Sequence, residues 1–180
     1  MGKNNKAIID NSVLRALYYL NLLPGLVMIY KEIYVPREVE KEFLRSKEDG
    51  QERYAFLMEF YAKNIWFKQC QSYREDAVAI FLSYQKKIHR GEAEVMVQNQ
   101  SMANVHEVLL DDKEARRVAE TQCIKIRGTL SILAFLDIKM GYCKYYDSVK
   151  ILMEKYKARY SKEVIDRAYR NAKKEALHEM

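Results

Sequence analysis

Several residue types on which common chemistries depend are scarce in this sequence of 180 residues. Its three cysteines, Cys70, Cys123 and Cys143, are odd in number and widely spaced. They match neither a zinc knuckle nor a disulfide framework, which argues for a reducing, cytoplasmic setting. The three histidines, His89, His106 and His178, do not fall at metal-ligand spacing. The six glycines are scattered. With no G-x-G-x-x-G and no P-loop, nothing in the sequence cradles a dinucleotide or a nucleoside triphosphate. A G-x-S-x-G elbow is also missing, which leaves Ser/His or Cys/His hydrolysis without support. No run approaches the ~18–20 apolar residues of a membrane span. The opening MGKNNKAIID has no apolar leader region, so a soluble intracellular protein with no membrane partner is expected.

What the chain does have is apolar substance and carboxylates. Nearly half of it is hydrophobic (49%), enough to bury a core. The net charge is +6, and the segment from Lys144 onward, with ten bases and six acids, carries +4 of it. That modest basic bias suits an anionic partner without identifying one.

Strand and helix patterns alternate through residues 6–140. Strands are expected at KAIID (6–10), EIYV, IWFKQC, 105–110 and CIKI. Between them lie a helix capped by Ser12 and stopped by Pro24-Gly25, one opened by Pro36, one at RYAFLMEFYA, one over 74–90, one after Gly91, one over 113–122 and one from Thr129 to Met140 closed by Gly141. Such alternation predicts an α/β fold with a mostly parallel sheet. Two more helices, about 148–159 and 162–178, follow as a C-terminal extension.

In open α/β sheets ligands bind at the carboxyl ends of the strands. Asp10 closes the first strand, and Asp111 and Asp112 close a later one. Side chains alternate along a strand, so one of that pair can face a shared site while the other caps the following helix; Asp111 is the preferred inward member. On the helices, Glu42 flanks the apolar face of Val39 and Phe43, and Glu92 shares the face of Val95 and Met96. Glu38, Glu40 and Glu94 are free to turn to water. Each acid alone has an ordinary reading as a cap or helix-start residue. Together they ask for a cation, because gathered carboxylates repel and their pKa values rise without one. A hard ion with oxygen ligands, Mg²⁺ or Mn²⁺, fits the set. Such an ion suits phosphodiester hydrolysis, since it activates an attacking water and stabilises charge on the phosphate.

The segments IIDNS, VPREVEKEF, IWF, RGEAEVM, VLLDDKEARRVA and IRGTLSIL, in that order, resemble the PIN-domain nucleases, in particular the compact prokaryotic branch related to VapC-type toxins. The resemblance implies a three-layer α/β/α sandwich over residues 1–142, with residues 143–180 as a helical extension packed on it or on a partner. It implies a metal-dependent endoribonuclease holding one or two Mg²⁺ or Mn²⁺ ions with Asp10, Glu42, Glu92 and the Asp111–Asp112 pair, and Ser12 acting through a water. Lys113, Arg116 and Arg117, beside that edge, are the candidate contacts to RNA phosphates. The same branch extends the expectation to the toxin of a toxin–antitoxin pair, with an antitoxin protein or a second copy of the chain as partners. The contrasting reading is a catalytically silent module of the same fold that binds nucleic acid or regulates.

Overall fold

The computed structural model describes residues 5–45, 47–71, 77–102 and 104–178. Five strands form one sheet: β1 (Lys6–Ile9), β2 (Glu32–Val35), β3 (Phe67–Gln69), β4 (Val105–Leu109) and β5 (Ile126–Arg127). Their spatial order is β3-β2-β1-β4-β5, and every pairing is parallel. Nine helices accompany them among the described residues: α1 (Asn11–Tyr19), α2 (Arg37–Leu44), α3 (Gly50–Lys63), α4 (Ala77–Gln85), α5 (Arg90–Ser101), α6 (Lys113–Thr121), α7 (Thr129–Ile138), α8 (Tyr145–Lys155) and α9 (Lys162–His178). Helices flank both faces of the sheet, the expected three-layer α/β/α arrangement. No described helix is long and apolar enough to cross a membrane.

A parallel sheet covered on both faces needs apolar residues in succession rather than alternation. Ala7, Ile8 and Ile9 supply them in the central strand, and Val108, Leu109 and Leu110 do so at the end of its neighbour. Strand order reverses between β1 and β4, so the carboxyl ends of these two strands mark the crevice at the switch point. Asp10 follows β1 directly, and its amide donates to the Leu109 carbonyl at 2.9 Å. The Asp111–Asp112 pair therefore leaves the sheet beside Asp10.

Several element boundaries differ from the sequence expectation for identifiable reasons. The cap of α1 is Asp10, whose side chain accepts from the Ser12 amide, rather than Ser12 itself. Around Pro24-Gly25 the chain does not simply stop but makes a short 3-10 helix over Leu23–Met28. Of the helix expected over 74–90, residues 74–76 lie outside the described residues, and α4 ends at Gln85. The strand expected at CIKI shrinks to Ile126–Arg127 because Cys123 adopts a left-handed φ of 55° and the Ile124 amide closes the end of α6 on Ala119. The helix expected over 148–159 starts three residues earlier, at Tyr145. There the Tyr145 amide is taken by Asp137 of α7 at 3.1 Å, a cap that no local pattern reveals. Gly141 closes the α7 region with φ +59°, the left-handed conformation that favours glycine.

The last two helices do not stand apart. Helix α9 packs along α7, and α8 also rests on α7. Ala172 of α9 is buried, and the Tyr145 hydroxyl donates to the Ile165 carbonyl at 2.8 Å.

Candidate active site

Asp10 stands at the end of the central strand with 3% of its surface exposed. Its Oδ2 accepts from the Ser12 amide at 3.0 Å and from Ser12 Oγ at 2.6 Å. Those bonds favour the charged form, yet burial outweighs them, and the nearby Glu42 charge adds to it. The Asp10 carboxyl is pushed up to about 6. Ser12 also reaches the other strand end, since its Oγ accepts from the Asp111 amide at 3.4 Å.

Glu42 and Glu92 arrive through the contact between α2 and α5. The Gly91 amide donates to Glu42 Oε1 at 3.1 Å. This approach depends on glycine, because a Cβ at position 91 would lie 2.7 Å from Glu42 Oε2. Glu92 Oε2 accepts from the His89 amide at 2.6 Å, completing a capping box at the start of α5. Burial first, then the charges of Asp10 and Asp112, push the Glu92 carboxyl up to about 7. Asp10, Glu42, Glu92 and Asp112 are thus linked in a chain of mutual repulsion.

The aspartate pair divides. Asp112 is exposed and caps α6, its Oδ1 accepting from the Ala115 amide at 2.8 Å. Asp111 turns to the opposite side, where its Oδ1 accepts from the Thr129 amide at 2.8 Å at the head of α7. Tyr160 lies against it; burial and the Asp111 charge hold that phenol above its ordinary range. Close approach again requires glycine: a Cβ on Gly128 would stand 2.8 Å from Asp111 Oδ1 and 2.9 Å from Arg116 Nη1.

Of the candidate phosphate contacts, Arg116 donates to the Leu110 carbonyl at 3.1 Å, Arg117 pairs with Glu114 at 3.1 Å, and Lys113 is exposed. All three line a cavity of about 780 Å³ that begins at Asp111. Its lining also includes Arg159 of the α8–α9 turn and Arg167 of α9. On the other flank of Asp112 a cavity of about 340 Å³ is lined by Lys86, Lys87 and His89. Asp112 and Glu114 in the same lining balance those two lysines, so the strand-end acids lie between a basic groove and a recess of mixed charge.

Four acids are less exposed than their sequence positions suggest, Glu94 and Glu107 fully so. Glu94, expected to face water, is 3% exposed, and its Oε2 accepts from the Glu38 amide at 2.6 Å. Helix α2 begins after Pro36, which has no side-chain acceptor to offer, so its orphan amide is satisfied from across the fold. Glu38 and Glu40 are likewise only half exposed, Glu40 accepting from Tyr61 Oη at 3.0 Å and Gln69 Nε2 at 2.9 Å. Glu107 is almost fully buried in β4 and pairs with Arg127 of β5.

The donor set suits a hard divalent ion. It is all oxygen, it is concentrated at one edge, and two of its members hold protons more tightly than free carboxyls do, as uncompensated anions would. Among the described residues, however, no group of three or more acid, histidine or cysteine side chains is drawn together closely enough to grip an ion as it stands. Each carboxylate is instead engaged with a backbone amide. The fit is one of donor chemistry and location.

No curated protein matches this chain. A family model described as a PIN domain matches residues 6–174, nearly the whole length, and the chain belongs to that family. PIN domains are generally nucleases and typically use divalent metals.

Proposed function

We propose that this PIN domain is a metal-dependent endoribonuclease whose ion is held by Asp10, Glu42, Glu92 and the Asp111–Asp112 pair. The observation that carries the reading is a pair of adjoining carboxyls at this edge, buried Asp10 raised to about 6 by burial and the Glu42 charge and half-buried Glu92 raised to about 7 by burial and the charges of Asp10 and Asp112, which together call for a cation. An Mg²⁺ or Mn²⁺ ion bound there would supply an activated water and neutralise charge on the scissile phosphate. The chain's own residues do the rest. Ser12 fixes the Asp10 carboxylate and tethers the Asp111 backbone. Lys113, Arg116 and Arg117 line the adjoining groove and draw the polyanion to the acids.

The test is cleavage of a labelled single-stranded RNA by the full chain. Products are expected with Mn²⁺ and not with EDTA, and Glu92→Gln is expected to slow their appearance on the order of a hundredfold or more. Cleavage that EDTA does not touch would sink the reading. We attach to the same site the role of toxin in a toxin–antitoxin pair. Induced expression should then arrest growth, and the Glu92→Gln chain should not.

Gly91→Ala separates positioning from folding. The new methyl must displace the Glu42 carboxylate, a flexible group, while alanine suits the helix better than glycine. The expected outcome is cleavage slowed on the order of a hundredfold, as for an ångström-scale misplacement, with no fall in melting temperature.

One observation favours the silent module instead: the carboxylates are satisfied by backbone amides, and no three are gathered. Titration calorimetry with Mn²⁺ decides between the two. Heat that saturates in the wild type and vanishes in Asp10→Asn supports the nuclease, and no heat supports the module.

A further inference from the structure

The C-terminal helices leave a further recess beside the acids. A cavity of about 250 Å³ lies between α1 and the turn joining α8 to α9, and its walls include Ser12 and Asp111 together with Arg15, Tyr19, Tyr156 and Arg159. Its aromatic wall is built rather than incidental. Tyr19 and Tyr156 stack with centroids 3.8 Å apart and planes 8° from parallel. Tyr19 is fixed from behind by buried Arg53, whose guanidinium lies 5.3 Å from the ring centre and donates to the Tyr19 hydroxyl. Tyr156 still exposes 37% of its surface. Arg15 and Arg159 are both exposed, and Arg15 lies 5.9 Å from the Tyr19 ring centre.

This recess and the 780 Å³ basic groove share Asp111, Arg159 and Tyr160. A groove rich in arginine suits a phosphodiester backbone, and a small recess walled by tyrosine rings and guanidinium groups suits one planar base. The shared residues adjoin the candidate metal ligands. A chain that lays its phosphates in the groove therefore passes Asp111, beside the candidate metal ligands, while a neighbouring base is next to the recess. The recess has no room for a base pair, so the strand must be unpaired there.

We propose that the recess between α1 and the α8–α9 turn is a binding slot for one unpaired base of single-stranded RNA, with Tyr156 as the stacking wall and Arg159 as the phosphate contact at its border. The inference rests on the nuclease reading for its substrate class, but it is read out by binding alone. Tyr156 and Arg159 position substrate, and neither is assigned a part in the bond-breaking step.

The experiment uses the full chain in EDTA, with fluorescence anisotropy of a short labelled single-stranded RNA in which abasic sites replace each base in turn. One position, or two adjacent ones, is expected to weaken wild-type binding roughly tenfold, the lower part of the range for one stacked base. Tyr156→Ala is expected to bind the intact RNA about as weakly and to lose its sensitivity to that position, and Tyr156→Phe to behave as wild type. Arg159→Glu, at an exposed site, is expected to weaken every RNA and reduce the salt dependence. Wild-type binding that is indifferent to every abasic site, or absent altogether, overturns the slot. So does a Tyr156→Ala chain that remains as sensitive as wild type. The wild-type scan decides the matter even if Tyr156→Ala fails to fold. Mn²⁺-dependent cleavage with a flat scan would overturn the slot alone; a position-dependent scan without cleavage would overturn the nuclease reading alone.

Discussion

Asp10→Asn is expected to slow metal-dependent RNA cleavage on the order of a thousandfold and, at the same time, to make the metal-free protein more stable near neutral pH. The two effects have one cause. Asp10 is buried at the end of the central strand, beside Glu42 and Glu92, and its carboxyl is raised to about 6. The folded state therefore holds a proton that the unfolded chain releases at lower pH. Stability from this group is fully present below the unfolded pKa of about 4 and is lost as pH rises through about 6. Over that window the metal-free wild type should lose about 3 kcal/mol to the ionisation of Asp10. Glu92, raised to about 7, acts in the same direction but is only half-buried, so its share is smaller. Asparagine cannot ionise, yet it keeps an oxygen to accept from the Ser12 amide and so retains the cap of α1. Thermal melts in EDTA across this pH range should fall steeply for wild type and less for Asp10→Asn. Added Mn²⁺ should raise the wild-type melting temperature near neutrality and leave the variant's where it was. Equal cleavage by the two proteins would end the assignment of Asp10 to the metal.

Glu107→Ala is expected to be the most damaging single change outside the site. Glu107 and Arg127 are 1% and 8% exposed, on adjacent strands. Arg127 Nε donates to Glu107 Oε2 at 3.2 Å, and the buried Tyr30 hydroxyl donates to Glu107 Oε1 at 3.0 Å. Burial and the Glu107 charge hold that phenol well above its ordinary range, so it remains a donor at any working pH. Removing the carboxylate strands a buried guanidinium and a buried hydroxyl, at a cost of about 3–5 kcal/mol. For a chain of this size that corresponds to a drop in melting temperature on the order of 10 °C. The triple replacement Tyr30→Phe, Glu107→Leu, Arg127→Met removes all three polar groups together and is expected to recover most of the loss, because no charge is left without its partner. A triple variant as unstable as Glu107→Ala would show that the cost lies in shape rather than in the stranded charge. Arg127 also lines the 780 Å³ groove, so the triple variant should fold yet bind RNA less tightly than wild type.

How much of this was legible in the chain follows from the range of each interaction. The alternation of strand and helix, the parallel sheet and the placing of Asp10 and the Asp111–Asp112 pair at strand ends all depend on short-range patterns. Apolar succession marks a strand covered on both faces, and an acid at its end marks the binding edge whatever the rest of the chain does. Glu42 and Glu92 were legible because each lies three residues from an apolar position on its own helix. Glu94 was misread for the same reason. Helix α5 is buried continuously from Ala93 to Gln98, so helical periodicity there cannot distinguish a face turned to water.

What only the tertiary structure decided is which distant groups meet. Glu42 depends on Gly91 across the α2–α5 contact, forty-nine positions along the chain. Asp111 and Asp112 are chemically identical neighbours, and strand alternation alone favoured Asp111 as the inward member. They separate because one amide donor, at Thr129, is presented by a helix eighteen residues away while the other, at Ala115, belongs to the next turn. Glu107, one residue of the strand expected over 105–110, becomes half of a buried ion pair only when β5 is laid beside β4. Arg159 and the Tyr19–Tyr156 stack reach the acids because α9 packs back along α7 and carries the α8–α9 turn with it. Local patterns fix where the chain extends, coils and ends its strands. Partners for buried charge and walls for a recess are set by packing between segments whose sequences carry no mark of one another.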